Sequence, residues 1–199
     1  MKLKMRGRRM AFWRWVGILT VAFVMNGCVS ANDSASQRPA GKVADGHGYA
    51  LLYDLMGDEK DVAKLRFIKH ERPELKQLVK EISARCGEAH KQLEAFGKAD
   101  SSLNLKDLGL PADEVAARKA ISKYKEKALL TEKGKDFEVQ LLLSQNEALT
   151  YGAHLAEILV PVESVPERAQ YLSKLSFDLL QLQQKILGMV LANYRWPSE

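Results

Sequence analysis

Between residues 172 and 189 the chain carries the apolar series Leu172, Leu175, Leu179, Leu182, Ile186 and Met189, at successive steps of 3, 4, 3, 4 and 3. A helix that turns once every 3.6 residues lines such positions along one face, whereas a strand would scatter them over both. The spacing therefore predicts a helix with an apolar seam that other helices must cover. A second segment repeats the pattern in Phe137, Leu141, Ser144, Ala148, Tyr151, Leu155 and Ile158 and stops before Pro161, whose ring cannot continue a helix. Nowhere do apolar and polar residues alternate over a strand length, so the fold class expected is all-α.

The first half of the chain is less regular. Leu51, Leu55, Val62, Leu65 and Ile68 make one stripe, and Leu75, Leu78, Val79, Ile82, Ala89, Leu93 and Phe96 make another. Pro73 lies between them and should kink one long helix or separate two. After Gly97 comes a loop over residues 98–110, and Pro111 then opens a helix carrying Ala117, Ile121, Tyr124 and Ala128. Gly134 marks a break before the next helix. Four or five helices with short connections predict an up-and-down bundle. No internal repeat points to an open array.

The start of the chain has a different character. Residues 1–15 hold Lys2, Lys4, Arg6, Arg8, Arg9 and Arg14 with no acid, and residues 16–25 carry no charge. A basic stretch followed by an apolar run is the layout of a secretory signal. The run is about half of the roughly 20 residues that a membrane-spanning helix needs. Val24-Met25-Asn26-Gly27-Cys28 resembles the lipobox of bacterial lipoproteins, in which an obligatory Cys takes the lipid before the signal is cut away. That resemblance implies a signal peptide over 1–27, lipidation of Cys28 and a membrane partner reached through the lipid anchor. It also implies a place in the bacterial cell envelope, and Val29, where an inner-membrane retention signal would have Asp, directs the expectation to the periplasmic side of the outer membrane. Residues 28–46, rich in Ser, Ala, Asn, Asp, Gly and Pro, read as a flexible tether, leaving 47–199 as the helical domain.

Removing the signal changes the charge balance. The whole chain has 30 basic and 25 acidic residues; six of the basic ones lie in the signal, leaving 24 against 25. A nucleic-acid partner loses its electrostatic footprint. Of the two cysteines, Cys28 is committed to lipid, so Cys86 has no partner for an internal disulfide.

The layout Asp61-Val62-Ala63-Lys64-Leu65, Glu88-Ala89-His90-Lys91-Gln92-Leu93, Leu110-Pro111 and Gly134-Lys135-Asp136-Phe137-Glu138 resembles a secreted domain-of-unknown-function family described as predicted outer-membrane proteins. The likeness covers most of residues 47–190 and implies a ferritin-like bundle. The histidines typical of that family fall here at Cys86, near Leu149, and on a last helix that has no His. Its ligands therefore carry over to no residue of this chain.

The remaining candidates are few. A ferritin-like di-metal site needs Glu-x-x-His on two helices, and no Glu here has a His three residues later, so no cofactor is expected. Glu147, Tyr151 and His154 share a helix face at i, i+4 and i+7; they are a candidate site for a metal or small ligand, or simply flank the seam in solvent. Cys86 and His90, at i and i+4, can pair a thiolate with an imidazole or hold a soft metal, though structural zinc takes four ligands and no motif supplies the other two; or else Cys86 is a small core residue. A thiol sensor would require Cys86 to be exposed with a depressed pKa. His47 and His70 read as surface residues, and Tyr194-Arg195-Trp196 as an end cap. No nucleophile comes with a base, so the expectation is a non-catalytic interaction or envelope-maintenance module with an envelope-protein partner. The competing reading is a metal- or small-ligand-binding bundle. The lipobox makes one outcome measurable: intact mass of the membrane-purified protein should show loss of residues 1–27 and a gain of acyl chains, both absent in Cys28→Ser. A wild-type protein without lipid removes the anchor.

Overall fold

A computed structural model describes residues 46–67 and 72–193. Cys28 with its lipobox, the tether as far as residue 45, Ile68, His70 and the segment from Tyr194 onward lie outside the described residues. The described chain is helical with no strand: α1 (Gly46–Glu59), a 3-10 turn (Val62–Phe67), α2 (Pro73–Ala99), α3 (Ala112–Thr131), α4 (Gly134–Leu159), a 3-10 turn (Val160–Val162) and α5 (Pro166–Asn193). Among the described residues no helix is long and apolar enough to cross a membrane.

The element boundaries follow local chemistry. Pro73 occupies the first turn of α2, where its missing N–H costs nothing. Pro161 falls in the 3-10 turn that ends α4. Gly134 opens α4 with φ of 54°, a left-handed conformation that disfavours a side chain, and this is why the chain can reverse between Thr131 and Asp136.

Four of the helices surround the core. Gly57 of α1 packs on His90 of α2 and Gly46 on Ser102 just beyond it, so α1 and α2 run antiparallel. Gly48 and Glu59 of α1 meet Leu159 and Gln145 of α4, again antiparallel. Gln183 of α5 donates to Asn146 of α4 at 2.9 Å, and Arg85 of α2 pairs with Asp178 of α5 at 2.9 Å. The neighbours thus form a closed ring, α1 to α2 to α5 to α4 and back to α1, with the like-directed helices on the diagonals. Successive helices alternate in direction, as expected of an up-and-down arrangement, and α3 is the crossover that carries the chain from α2 to its diagonal partner α4.

The predicted seam of α5 is the observed one: Leu172, Leu175, Leu179, Leu182 and Ile186 are buried and Met189 is half-buried. The α2 stripe likewise faces inward from Leu75 to Leu93, with Cys86 completing it. The α4 stripe is displaced. Its buried face takes in Glu138, Leu142, Gln145, Leu149, Gly152, Ala156 and Leu159, the expected series moved along by one residue, together with part of the expected line, so the helix is rotated by less than the roughly 100° that one residue subtends. Phe137, Leu141 and Leu155 remain buried at its edge, but Tyr151 and Ile158 turn outward, Ile158 with 63% exposure. Small residues explain the rotation: a Cβ on Gly152 would lie 2.9 Å from Leu55 Cδ2 and 3.3 Å from Leu179 Cδ1, so α4 approaches both neighbours on its glycine face. The same one-step shift occurs in α1, where Leu52 and Met56 are buried and Leu51 and Leu55 only half so.

The stripe expected in α3 is not a core face at all. None of the helix's residues is fully buried, and Ile121 and Tyr124 are 52% and 75% exposed, because α3 packs chiefly along α4, with Leu129 alone of its large apolar side chains half-buried against the core. Burying one Leu side chain stabilises by about 1.5–3 kcal/mol, so α5 and α3 should respond very differently to truncation. Leu179→Ala is expected to cost about 2–5 kcal/mol in urea unfolding, and Ile121→Ala no more than about 0.5. Equal losses would make α3 part of the core.

Candidate functional site

The α4 candidates stand on the outer face of the helix. Glu147 accepts from Lys125 of α3 at 2.5 Å, and His154 Nδ1 lies 3.0 Å from Glu157 Oε2, with both pairs solvent-accessible. Tyr151 sits between them under Arg118, whose guanidinium carbon is 5.6 Å from the ring centre. Each side chain engages a different neighbour, so the three do not converge. Among the described residues no three His, Cys, Asp or Glu side chains gather where a metal ion could be held.

Cys86 and His90 share a helix face but not an environment. Cys86 is fully buried among the core side chains, and burial first, then the nearby Glu59 carboxylate, pushes its thiol up to about 12. A thiol so held is a poor nucleophile and does not meet the exposure that a thiol sensor requires; Cys86 is a small core residue. His90 stacks on Tyr53 with ring centres 4.2 Å apart, and its Nε2 accepts from Lys60 Nζ at 3.4 Å. Partial burial and the Lys60 charge lower its pKa. His47 is surface-facing, its Nδ1 3.0 Å from the Asp107 carbonyl.

Two arginine-centred clasps, neither evident in the sequence, close opposite ends of the bundle. At one end Arg72, just before α2, donates through Nε to Glu138 of α4 at 2.8 Å and through Nη1 to Asn193 of α5 at 2.5 Å. At the other, Arg168 of α5 binds Asp100 after α2 at 2.7 Å and Glu163 after α4 at 3.0 Å. The Tyr49 hydroxyl of α1 donates to the second oxygen of Glu163, and the Val165 N–H to the first at 2.7 Å. Burial raises the Tyr49 pKa, and so does the adjacent carboxylate. Burial alone would raise Glu163, but the donors Tyr49, Val165 and Arg168 hold it below the usual range. Asp100 is held at about 2 by Ser102 and Arg168.

A third polar element lies inside the ring. Gln145 of α4, 4% exposed, donates through Nε2 to Glu59 at the end of α1 at 2.6 Å, and its Oε1 has no hydrogen-bond partner among the described residues. Among the described residues a shallow open groove of about 500 Å³ lies beside Tyr53, Glu94, Lys98, Asn104 and Lys106, and none of the candidate site residues lines it.

The chain matches no protein-family model, no curated protein and no solved structure.

Breaking the Arg168 clasp leaves Glu163, almost wholly buried, without its cation. Arg168→Ala should therefore cost about 3 kcal/mol of unfolding free energy. Because the Asp100 pKa is depressed in the fold, its contribution is present above pH 3.8 and is lost as the pH falls toward about 2. Acid unfolding of Arg168→Ala should accordingly lose its steepness in that window; an unchanged acid limb would detach Asp100 from the clasp.

Proposed function

We propose that this chain is a lipid-anchored protein of the bacterial cell envelope, held on the periplasmic side of the outer membrane, whose helical domain is a non-catalytic interaction or envelope-maintenance module. The anchor rests on the lipobox-like residues 24–28 with Cys28, and the tether of residues 28–46 gives the domain reach from the membrane surface. The observation that carries the interaction reading is α3. It is a 20-residue helix with no buried side chain, and it presents Val115, Ile121, Tyr124 and Leu130 at 41–75% exposure. Large apolar side chains grouped on one exposed element mark interaction surfaces more often than scattered ones do. Lys119, Lys123 and Lys127 on the same helix keep that surface soluble until it is covered.

The ferritin-like assignment belongs to this reading as well. Its support is connectivity: a four-helix ring with one long crossover between diagonal helices is the arrangement of ferritin-like bundles. In this reading the fold is used as a scaffold, with leucines and a glycine line filling the interior.

A photo-crosslinking amino acid placed at Tyr124 of the lipidated protein in intact cells tests the module directly. Crosslinks to an envelope protein should form from position 124 and be absent from position 174, where Lys174 is exposed on α5 away from α3. The same low yield from both positions would remove α3 as the contact surface.

A further inference from the structure

We propose that Glu59 and Gln145 form a proton-operated latch, a carboxylic acid paired face to face with a carboxamide, that fastens the end of α1 to α4 and loosens when the acid ionises. The argument begins with the amide. Gln145 is buried in the inward line of α4, and its contact within the bundle is the 2.6 Å bond from Nε2 to Glu59 Oε2, with Oε1 left unpartnered. An unmade bond at a buried carbonyl oxygen is destabilising, because the oxygen has given up water for nothing in return. A protonated Glu59 resolves both ends, since its carbonyl oxygen accepts from Nε2–H while its O–H donates to Oε1.

The surroundings of Glu59 favour the neutral acid. It is the last residue of α1, where the helix's carbonyl ends oppose an anion. Asp58, beside it on α1, adds like charge. From α2 it is faced by the Cys86 thiol, which carries no charge, and from α4 by neutral Gln145. Among the described residues the cation that acts on it is Lys125 of α3, and Lys125 is engaged by Glu147 at 2.5 Å. Lys60, next in sequence, is turned to His90. Burial first, and Asp58 after it, bring Glu59 to about 7 against the pull of Gln145 and Lys125.

The direction of the effect follows from linkage. A group whose pKa is raised in the fold binds its proton more tightly there than in the unfolded chain, so stability declines as pH rises from 4.5 to about 7 and is level beyond. Near neutral pH a modest change in proton concentration thus shifts the junction of α1, α4 and the turn at Val62–Phe67.

Two measurements on the full-length protein in detergent decide the matter. Infrared difference spectra between pH 5 and pH 8.5 should contain a protonated-carboxyl C=O band that titrates near neutrality and is missing in Glu59→Gln. This reading needs only folded wild type for its first half. In urea unfolding, the wild-type unfolding constant should rise by up to about tenfold per pH unit across the window, as one proton requires, while Glu59→Gln, which keeps the paired geometry, should lose that rise and keep only the slope that other groups such as Asp58 and His90 contribute. Gln145→Met should retain the titrating band at a shifted frequency. Absence of any carboxyl band above pH 6 in wild type, or the same pH slope in wild type and Glu59→Gln, would overturn the latch.

Discussion

Helix α4 has neighbours on three sides, α1 and α5 within the ring and α3 outside it, and the architecture depends on how that crowding is accommodated. A helix in that position cannot present large side chains all round. Interiors pack at crystal-like density, so close approach on one side demands small residues there. Gly152 and Ala156 provide them, and the tips of Leu55, Met56 and Leu179 occupy the space so released. The rotation of α4 that results carries Glu138 and Gln145 inward, and both ended up with specific partners on other helices.

Those partners make the polar interior orderly. Glu138 is answered by Arg72 at one end of the ring, and Glu163 by Arg168 and Tyr49 at the other. The apolar seams between the ends are non-directional and would tolerate sliding of one helix along another. The clasps are directional and each joins three or more chain segments, so they define the axial register that leucine packing leaves loose. Gln145 and Glu59 act at an intermediate level, joined by a single hydrogen bond from the buried amide to the carboxyl group.

How much of this was legible depends on the kind of residue involved. The seams of α2 and α5 were readable because their inward positions are Leu, Ile and Val and their outward neighbours are charged, so periodicity and burial coincide. In α1 and α4 two adjacent stripes are both apolar enough to qualify, and the 3-4 spacing alone does not choose between Leu51 and Leu52, or between Tyr151 and Gly152. The choice is made by fit against a neighbour, which is long-range information. The exposed set Glu147, Tyr151 and His154 was a consequence of that same displacement: a polar line beside a supposed seam resembles a site, and beside the true one it is solvated surface. Arg72, Arg168 and Glu59 carry no local signal, since an isolated Arg or Glu in a charged helical sequence is ordinarily surface. Only Pro73, which starts α2 beside Arg72, hinted at where one end of the ring would lie.

The crossover helix has a further meaning. On either side of α3 the chain forms a self-contained antiparallel pair, α1 with α2 and α4 with α5, each built from contacts close in sequence. Such hairpins assemble quickly and locally, and the core is then made by docking one pair on the other. Since α3 contributes no buried side chain to that docking, it behaves as a strap rather than a structural member. In physical terms the domain is a dimer of two unlike helical hairpins whose subunits are covalently joined, and the strap sets their effective concentration more than it sets their shape.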